Sequence, residues 1–231
     1  MTRPERALIV GAGSGLSASL ALLLRSEGMD VALAARNVAK LQPLCAACGA
    51  MAFPCDATDA VSVEALFRAV DDRQGPPDLV VYNASQRVRG GIIELDPAAV
   101  QQALQVTAFG GFLVAQQAVT RMLKEGRGTL LFTSASAGVK GYARSATFAM
   151  GKFALRGLAQ SLARELQPKG IHVAHIVIDG AIRSATRPVP DDKSDSLLDP
   201  DAIARTYLDL HRQHRSAWTH ELDLRPWVET F

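Results

Sequence analysis

A short apolar run, Ala7-Leu8-Ile9-Val10, ends in the glycine-rich turn Gly11-Ala12-Gly13-Ser14-Gly15, and the segment from Leu16 to Glu27 then recurs at helical spacing. Few features constrain a fold more. A continuous apolar run reads as a buried strand of a parallel sheet, and Gly28 supplies a stop for the helix. A turn nearly free of side chains lets backbone N–H groups approach a pyrophosphate, and the helix N-terminus favours negative charge. Alone, the turn is modest evidence, because Leu16 stands where the strict G-x-G-x-x-G pattern has its third glycine. A tight strand-to-helix turn without a ligand fits the same residues. The next strand-like segment, Asp30 to Ala34, follows at the distance a βαβ unit requires.

The alternation continues to the end of the chain. Strands are expected over 6–10, 30–35, 50–54, 78–82, 128–133, 171–178 and 218–224, and helices over 15–27, 37–48, 59–73, 97–124, 145–167 and 200–214. This order predicts an α/β, doubly wound parallel sheet of about seven strands with helices on both faces. With 48% hydrophobic residues and no repeat, residues 1–231 read as a single domain. The linker-like piece is Arg187–Pro200, rich in Pro and Asp, which is expected to bridge a cleft rather than divide domains. A formal net charge of +2 offers no basic patch for nucleic acid. No apolar stretch is expected to reach membrane-spanning length, and Met1–Arg6 leads straight into the first strand, leaving no room for a signal peptide; the expectation is a cytoplasmic protein. No metal is expected either. Cys45-x-x-Cys48 and Cys55 lack the further ligands of a structural zinc site, since all 5 histidines lie beyond position 170.

In a doubly wound sheet, ligands bind beyond the carboxyl ends of the strands, which selects the residues to inspect. The second strand ends Ala34-Ala35-Arg36. A carboxylate there would bind an adenosine ribose 2′-hydroxyl, whereas Arg36 suits a 2′-phosphate; a solvated surface arginine is the alternative. Asp30 lies at the wrong end of the strand to supply the acid, so NADP is favoured over NAD. Later strand ends supply Asp56, then Asn83-Ala84-Ser85, then Thr133-Ser134-Ala135-Ser136-Ala137-Gly138. Asp56 equally fits a helix cap, and Asn83 equally fits a pin for the central backbone.

Taken together, these residues resemble the short-chain dehydrogenase/reductase family over essentially the whole chain. The glycine turn, Asp56 in Cys55-Asp56-Ala57-Thr58-Asp59, Tyr82-Asn83-Ala84-Ser85, Gly126-Arg127-Gly128-Thr129, Gly170-Ile171-His172-Val173 and the closing Trp218–Leu224 follow the family's order and spacing. The resemblance implies a Rossmann-like dinucleotide-binding domain. It places Gly11, Gly13, Ser14, Gly15, Leu16, Arg36, Asp56, Ala57, Asn83, Ala84 and Lys152 against NADP(H). The family's catalytic set is Asn, Ser, Tyr and Lys. Here the Tyr-x-x-x-Lys pair reads Phe148-Ala149-Met150-Gly151-Lys152, Ala135 falls at the Ser position and Thr107 at the Asn position. Lys152 alone survives. A positioned general acid is worth roughly 10²–10⁴-fold, and a donor to a developing alkoxide on the order of 10²–10³-fold. Alcohol–carbonyl chemistry by the family's usual relay is therefore not expected. Replacement donors are Asp179, at the end of the sixth strand, then Tyr142 and the flanking Ser134 and Ser136, which in a strand would point away from the Ala135 face unless a bulge re-aims them. The candidate catalytic set is Lys152, Asp179 and Ser134, and His175, mid-strand, reads as a core residue.

The expected function is NADP(H)-dependent hydride transfer to or from an unidentified small molecule at this atypical site. The alternative is a catalytically silent NADP(H)-binding protein acting as sensor or structural subunit. The cofactor-free dehalogenase branch of the same fold needs Ser and Tyr with a blocked nucleotide site, the reverse of this pattern. Small residues along 97–124 (Ala103, Ala108, Gly110, Gly111, Ala115, Ala118) permit close helix packing, and the resemblance implies a homodimer or homotetramer built through this helix and the next.

Overall fold

The computed structural model describes residues 3–184, 187–188 and 195–228. Strands β1 (Arg6–Val10), β2 (Asp30–Ala35), β3 (Met51–Pro54), β4 (Leu79–Tyr82), β5 (Gly128–Thr133), β6 (Ile171–Ile178) and β7 (Glu221–Leu224) form one parallel sheet in the order β3-β2-β1-β4-β5-β6-β7. The period of two along each strand divides the core. Ala7, Ile9, Val81, Leu131 and Ile176 face α1 (Leu16–Ser26) and α7 (Pro200–His211). Leu8, Val10, Val80, Tyr82 and Phe132 face α3 (Ala60–Gln74), α5 (Gly110–Glu125) and α6 (Ala146–Leu166). Two shorter helices, α2 (Gln42–Cys48) and α4 (Pro97–Leu104), complete the set. After β1 the chain winds outward through β2 and β3, then returns across the sheet to β4. The reversal opens a crevice between the carboxyl ends of β1 and β4.

The seven parallel strands and the helices on both faces agree with the sequence expectation, while local details differ. The helix expected over 37–48 starts as a 3₁₀ turn, Val38–Leu41, opened by Asn37, whose side chain accepts from the Ala39 N–H. The last strand is shorter than 218–224: it begins at Glu221, because the Trp218 ring stacks on His172 with centroids 4.9 Å apart. The helix expected over 97–124 is interrupted by a π-helical turn, Gln105–Phe109. There the Tyr82 hydroxyl donates to the Val106 carbonyl, and Thr107 Oγ1 accepts from the Gln86 N–H at 3.1 Å. A β-carbon on Gly110 would lie 2.5 Å from that hydroxyl, so glycine lets the helix seat here.

The continuous helical run Pro97–Glu125 is 29 residues long, with a mean hydropathy of 1.3 in its most apolar window. By length and composition it reaches spanning dimensions, which corrects the expectation that no stretch does. Its apolarity is spent on the sheet: Leu113, Val114, Ala115, Ala118 and Met122 are buried there. The same burial corrects the view of its small residues as an outer contact stripe. Ala103, Gly110, Gly111, Ala115 and Ala118 are buried within the chain, whereas Phe109 and Phe112 stack on each other and are exposed. Of the linker-like Arg187–Pro200, residues 189–194 lie outside the described residues.

At the amino ends of the strands, Asp78 gathers charges from three segments. Its carboxylate accepts two bonds from Arg3, at 2.7 and 3.0 Å, and one from the Arg6 N–H at 3.0 Å, with Arg127 at 3.1 Å. This knot ties the N-terminal segment to β1, β4 and the start of β5.

Candidate active site

The carboxyl ends of the strands surround two adjoining cavities separated by Asn83 and Ser85, which line both. The first, of 490 Å³, lies over β1, β2 and β3. Gly11, Gly13, Ser14, Arg36, Asp56, Ala57, Asn83 and Ala84 all line it, so most of the residues singled out for a cofactor are brought together. Gly15 and Leu16 open α1 beside it: Gly15 lines a neighbouring surface hollow, and Leu16 lines the second cavity.

Several details fit a dinucleotide. Gly11 has φ +83°, and a β-carbon on it would sit 2.6 Å from Ala84 Cα, so the turn can press against the end of β4 only as glycine. Gly13 and Gly15 face open space, and α1 begins with no side-chain cap. First-turn N–H groups are therefore left for an anion. Arg36 and Lys40 stand exposed on the cavity rim. Sequence reading missed Lys40; its signal was a cation one helical turn after Arg36. Asp56 does not cap α3, a role taken by Asp59, whose carboxylate accepts from the Val61 and Ser62 N–H groups. Asp56 instead accepts from the Thr58 N–H and hydroxyl at 2.9 and 2.8 Å. Those bonds, with Arg36 nearby, hold its carboxyl below the ordinary range. The Asn83 amide donates to Ser17 Oγ at 2.8 Å, and its N–H donates to the Val10 carbonyl at 2.8 Å. Asn83 thus pins β4 to β1 and α1 while facing both cavities.

The second cavity, of 680 Å³, lies over β4, β5 and β6 and brings together all three candidate catalytic residues, Lys152, Asp179 and Ser134. Phe148 and Lys152 share one face of α6, with the Lys152 ammonium 5.7 Å from the Phe148 ring centroid. Lys152 is 2% exposed and donates to the Thr133 carbonyl at 2.8 Å. Burial, with Arg87 as a smaller contribution, lowers its pKa from 10.5 to about 7. Asp179 lies 3.8 Å from the Arg225 guanidinium. Ser134, Ala135 and Ser136 all line the cavity. The expected alternation fails here because regular strand ends at Thr133 and a 3₁₀ turn, Ser136–Gly138, follows at once. Ser134 is buried, and its hydroxyl finds no hydrogen-bond partner among the described residues. Thr107 is buried in the π turn, away from this cavity's lining. His175 is fully buried beside Glu221 at 2.9 Å, and burial lowers its pKa to about 4. Arg87 and Arg89 also line this cavity and were not foreseen, since only the folded loop after β4 turns them inward.

The buried Lys152 has a consequence for stability. The folded protein releases its proton near pH 7 and the unfolded chain near 10.5, so between these values the unfolded state binds more protons and stability rises with pH. At and below neutrality the cost of burying the charge is fully present. Lys152→Met removes that cost, about 1.4 kcal/mol per pKa unit, and forfeits one charged hydrogen bond worth about 1.5–3 kcal/mol. Denaturant unfolding should show the variant more stable by on the order of 2 kcal/mol at pH 7, with the gain shrinking toward pH 10. A gain independent of pH contradicts this.

The chemistry open to the arrangement follows from its groups. A nicotinamide dinucleotide, when bound, supplies hydride transfer. Lys152 holds a proton at Nζ that it can surrender near neutrality, and the apolar Phe148 and Ala135 offer none.

Comparison with known proteins agrees with this architecture. The sequence profile of the short chain dehydrogenase family matches residues 5–191. An uncharacterized oxidoreductase of Staphylococcus aureus is 30% identical over 226 residues, 95% of this chain and 96% of the relative. The crystal structure of a short-chain dehydrogenase from Rhodopseudomonas palustris superposes with a TM-score of 0.85 at 33% identity, covering 98% of this chain and 100% of that one. A metagenomic short-chain oxidoreductase solved in complex with NADP gives a TM-score of 0.84 at 27% identity, covering 97% and 98%. The sheet order, the cleft and these matches lead to one assignment: the chain belongs to the short-chain dehydrogenase family of oxidoreductases.

Proposed function

We propose that the protein is an NADP(H)-dependent oxidoreductase that transfers hydride to or from a small molecule at an atypical site, with Phe148 and Ala135 where the family's Tyr and Ser are expected. The observation behind this reading is the asymmetry of the cleft: its glycine turn, Arg36, Lys40, Asp56 and Asn83 surround one cavity, and Lys152 stands in the next. The NADP bound in the metagenomic relative is consistent with it. Hydride transfer chiefly needs a positioned nicotinamide and an electrophilic carbon. Lys152, Asp179 and Ser134 remain the groups we assign to the substrate side, Lys152 first, because its proton is available near neutral pH. We place the protein in the cytoplasm.

The experiment is a calorimetric titration of nucleotide-free protein with NADPH and NADH. NADPH is expected to bind more tightly, and Arg36→Glu should weaken NADPH by roughly 100-fold while leaving NADH within about threefold. Loss of hydrogen bonds between charged groups sets that scale. Equal binding of both nucleotides by the parent overturns the NADP assignment. The absence of Tyr and Ser favours a second reading, a catalytically silent NADP(H)-binding protein. It predicts the same titration without oxidation of NADPH by any substrate class.

Assembly as a homodimer or homotetramer is proposed on the exposed large apolar side chains of neighbouring helices. Phe112 on α5 is 42% exposed, Met150 and Phe153 on α6 are 51% and 43% exposed, and Phe109 on the π turn is 44% exposed. Light scattering should give at least the mass of a dimer, and Phe112→Glu with Phe153→Glu should yield monomer. A monomeric parent rules this assembly out.

A further inference from the structure

The substrate-side cavity is lined by three arginines from two segments: Arg87 and Arg89 from the loop after β4, and Arg187 from beyond β6. Asp179 is the acidic residue of that lining, and it faces Arg225 at 3.8 Å. Among the described residues, no carboxylate lies within ion-pair distance of Arg87, Arg89 or Arg187. Several arginines elsewhere are paired: Arg121 with Asp71, Arg156 with Glu221, Arg183 with Asp199 and Arg212 with Glu27. Arg87 is also held in place, its guanidinium carbon 3.9 Å from the Phe148 ring centroid. Burial, and then repulsion by Arg89 and Arg187, lowers the Arg87 pKa, so the three cations act on one another across the cavity mouth. Convergent cations in a cleft cost stability and focus a positive potential, which a bound anion relieves.

We propose that the substrate bears a carboxylate or phosphate group, which Arg87, Arg89 and Arg187 hold at the cavity mouth while the rest of the molecule extends inward to Lys152. The proposal rests on the reading of this cavity as the substrate side of the cleft. Guanidinium forks match carboxylate and phosphate oxygens in a way that neutral polar groups do not. The cofactor's own phosphates have other partners available, because the glycine turn, Arg36 and Lys40 line the first cavity and Arg87, Arg89 and Arg187 do not. Apolar Phe148 beneath Arg87 adds a dry platform for the carbon skeleton next to the charged group.

Succinate and inorganic phosphate, each titrated calorimetrically at low ionic strength with and without NADPH, test the proposal, with the uncharged diamide succinamide as control. At least one anion is expected to bind, succinamide not, and NADPH not to displace the anion. Arg89→Gln, at an exposed position, should weaken anion binding tenfold or more and leave NADPH affinity within about twofold, with Arg87→Gln added weakening it further. Stronger binding of succinate assigns a carboxylate, and stronger binding of phosphate a phosphoryl group. Arg89-dependent binding to cofactor-free protein upholds the anion site even where NADPH fails to bind, the result that defeats the function proposed above. Anion binding unchanged in the double variant, displaced by NADPH, or absent for both probes overturns the anion site whatever NADPH does.

Discussion

Phe148→Tyr combined with Ala135→Ser should raise NADPH-dependent reduction of small aldehydes and ketones by roughly 10²–10⁴-fold over the parent, the range a positioned general acid supplies. Both positions line the second cavity, and Phe148 already shares a helix face with Lys152. A phenol placed there would sit beside Lys152, whose charged form favours the phenolate. Ala135 lines the cavity, which is where its added hydroxyl would point a donor. Each single variant should fall well short of the pair, since groups acting as a unit do not contribute additively. A large gain over an inactive parent marks a site that has lost this reaction with its scaffold intact. No gain, with NADPH still bound, means that the lining has been rebuilt for a different chemistry. NADPH oxidation at fixed cofactor and varied carbonyl separates the two.

The second large effect is expected at Gly11→Ala. The backbone there has φ +83°, where an L side chain costs about 1–2 kcal/mol. The new methyl also meets main chain at Ala84, which cannot rotate aside, adding about 1–3 kcal/mol of overpacking. For a domain of this size that sum corresponds to a fall in Tm of roughly 5–15 °C. Calorimetric scanning reads the fall directly. Nucleotide affinity should fall too, because β1, β4 and the turn lose their register together. A variant as stable as the parent means that this approach of turn to strand is looser than its geometry indicates. Gly13→Ala is the control: a β-carbon there meets nothing within 4 Å, so stability should be kept.

Periodicity made the sheet readable, but not the places where side chains from distant segments intervene. Ala7-Leu8-Ile9-Val10 declares a doubly covered strand because both of its faces are apolar, and it is buried on both. The π turn at Gln105–Phe109 has no such signature. It depends on the Tyr82 hydroxyl and the Gln86 N–H, contacts that exist only once β4 lies beneath the helix. The candidate site divides in the same way. Gly11, Arg36, Asp56 and Asn83 sit at strand ends, where topology predicts a ligand, and they line one cavity. Arg87 and Arg89 lie on a loop whose course no local pattern encodes. Ser134 and Ser136 were assigned by strand alternation to the far face, yet they reach the cavity because the alternation stops one residue earlier.

The knot around Asp78 bears on how this chain can change. It fastens Arg3, Arg6 and Arg127 at one rim of the sheet, and every group discussed for chemistry stands at the opposite rim. Fastening and reactivity are thus about a strand's length apart, and substitutions more than about 7–10 Å apart act nearly independently. The reactive rim can be rewritten residue by residue while the other rim keeps the strands in register. A laboratory seeking new reactions on this scaffold would do well to leave Asp78 and its arginines untouched and randomise the second cavity alone.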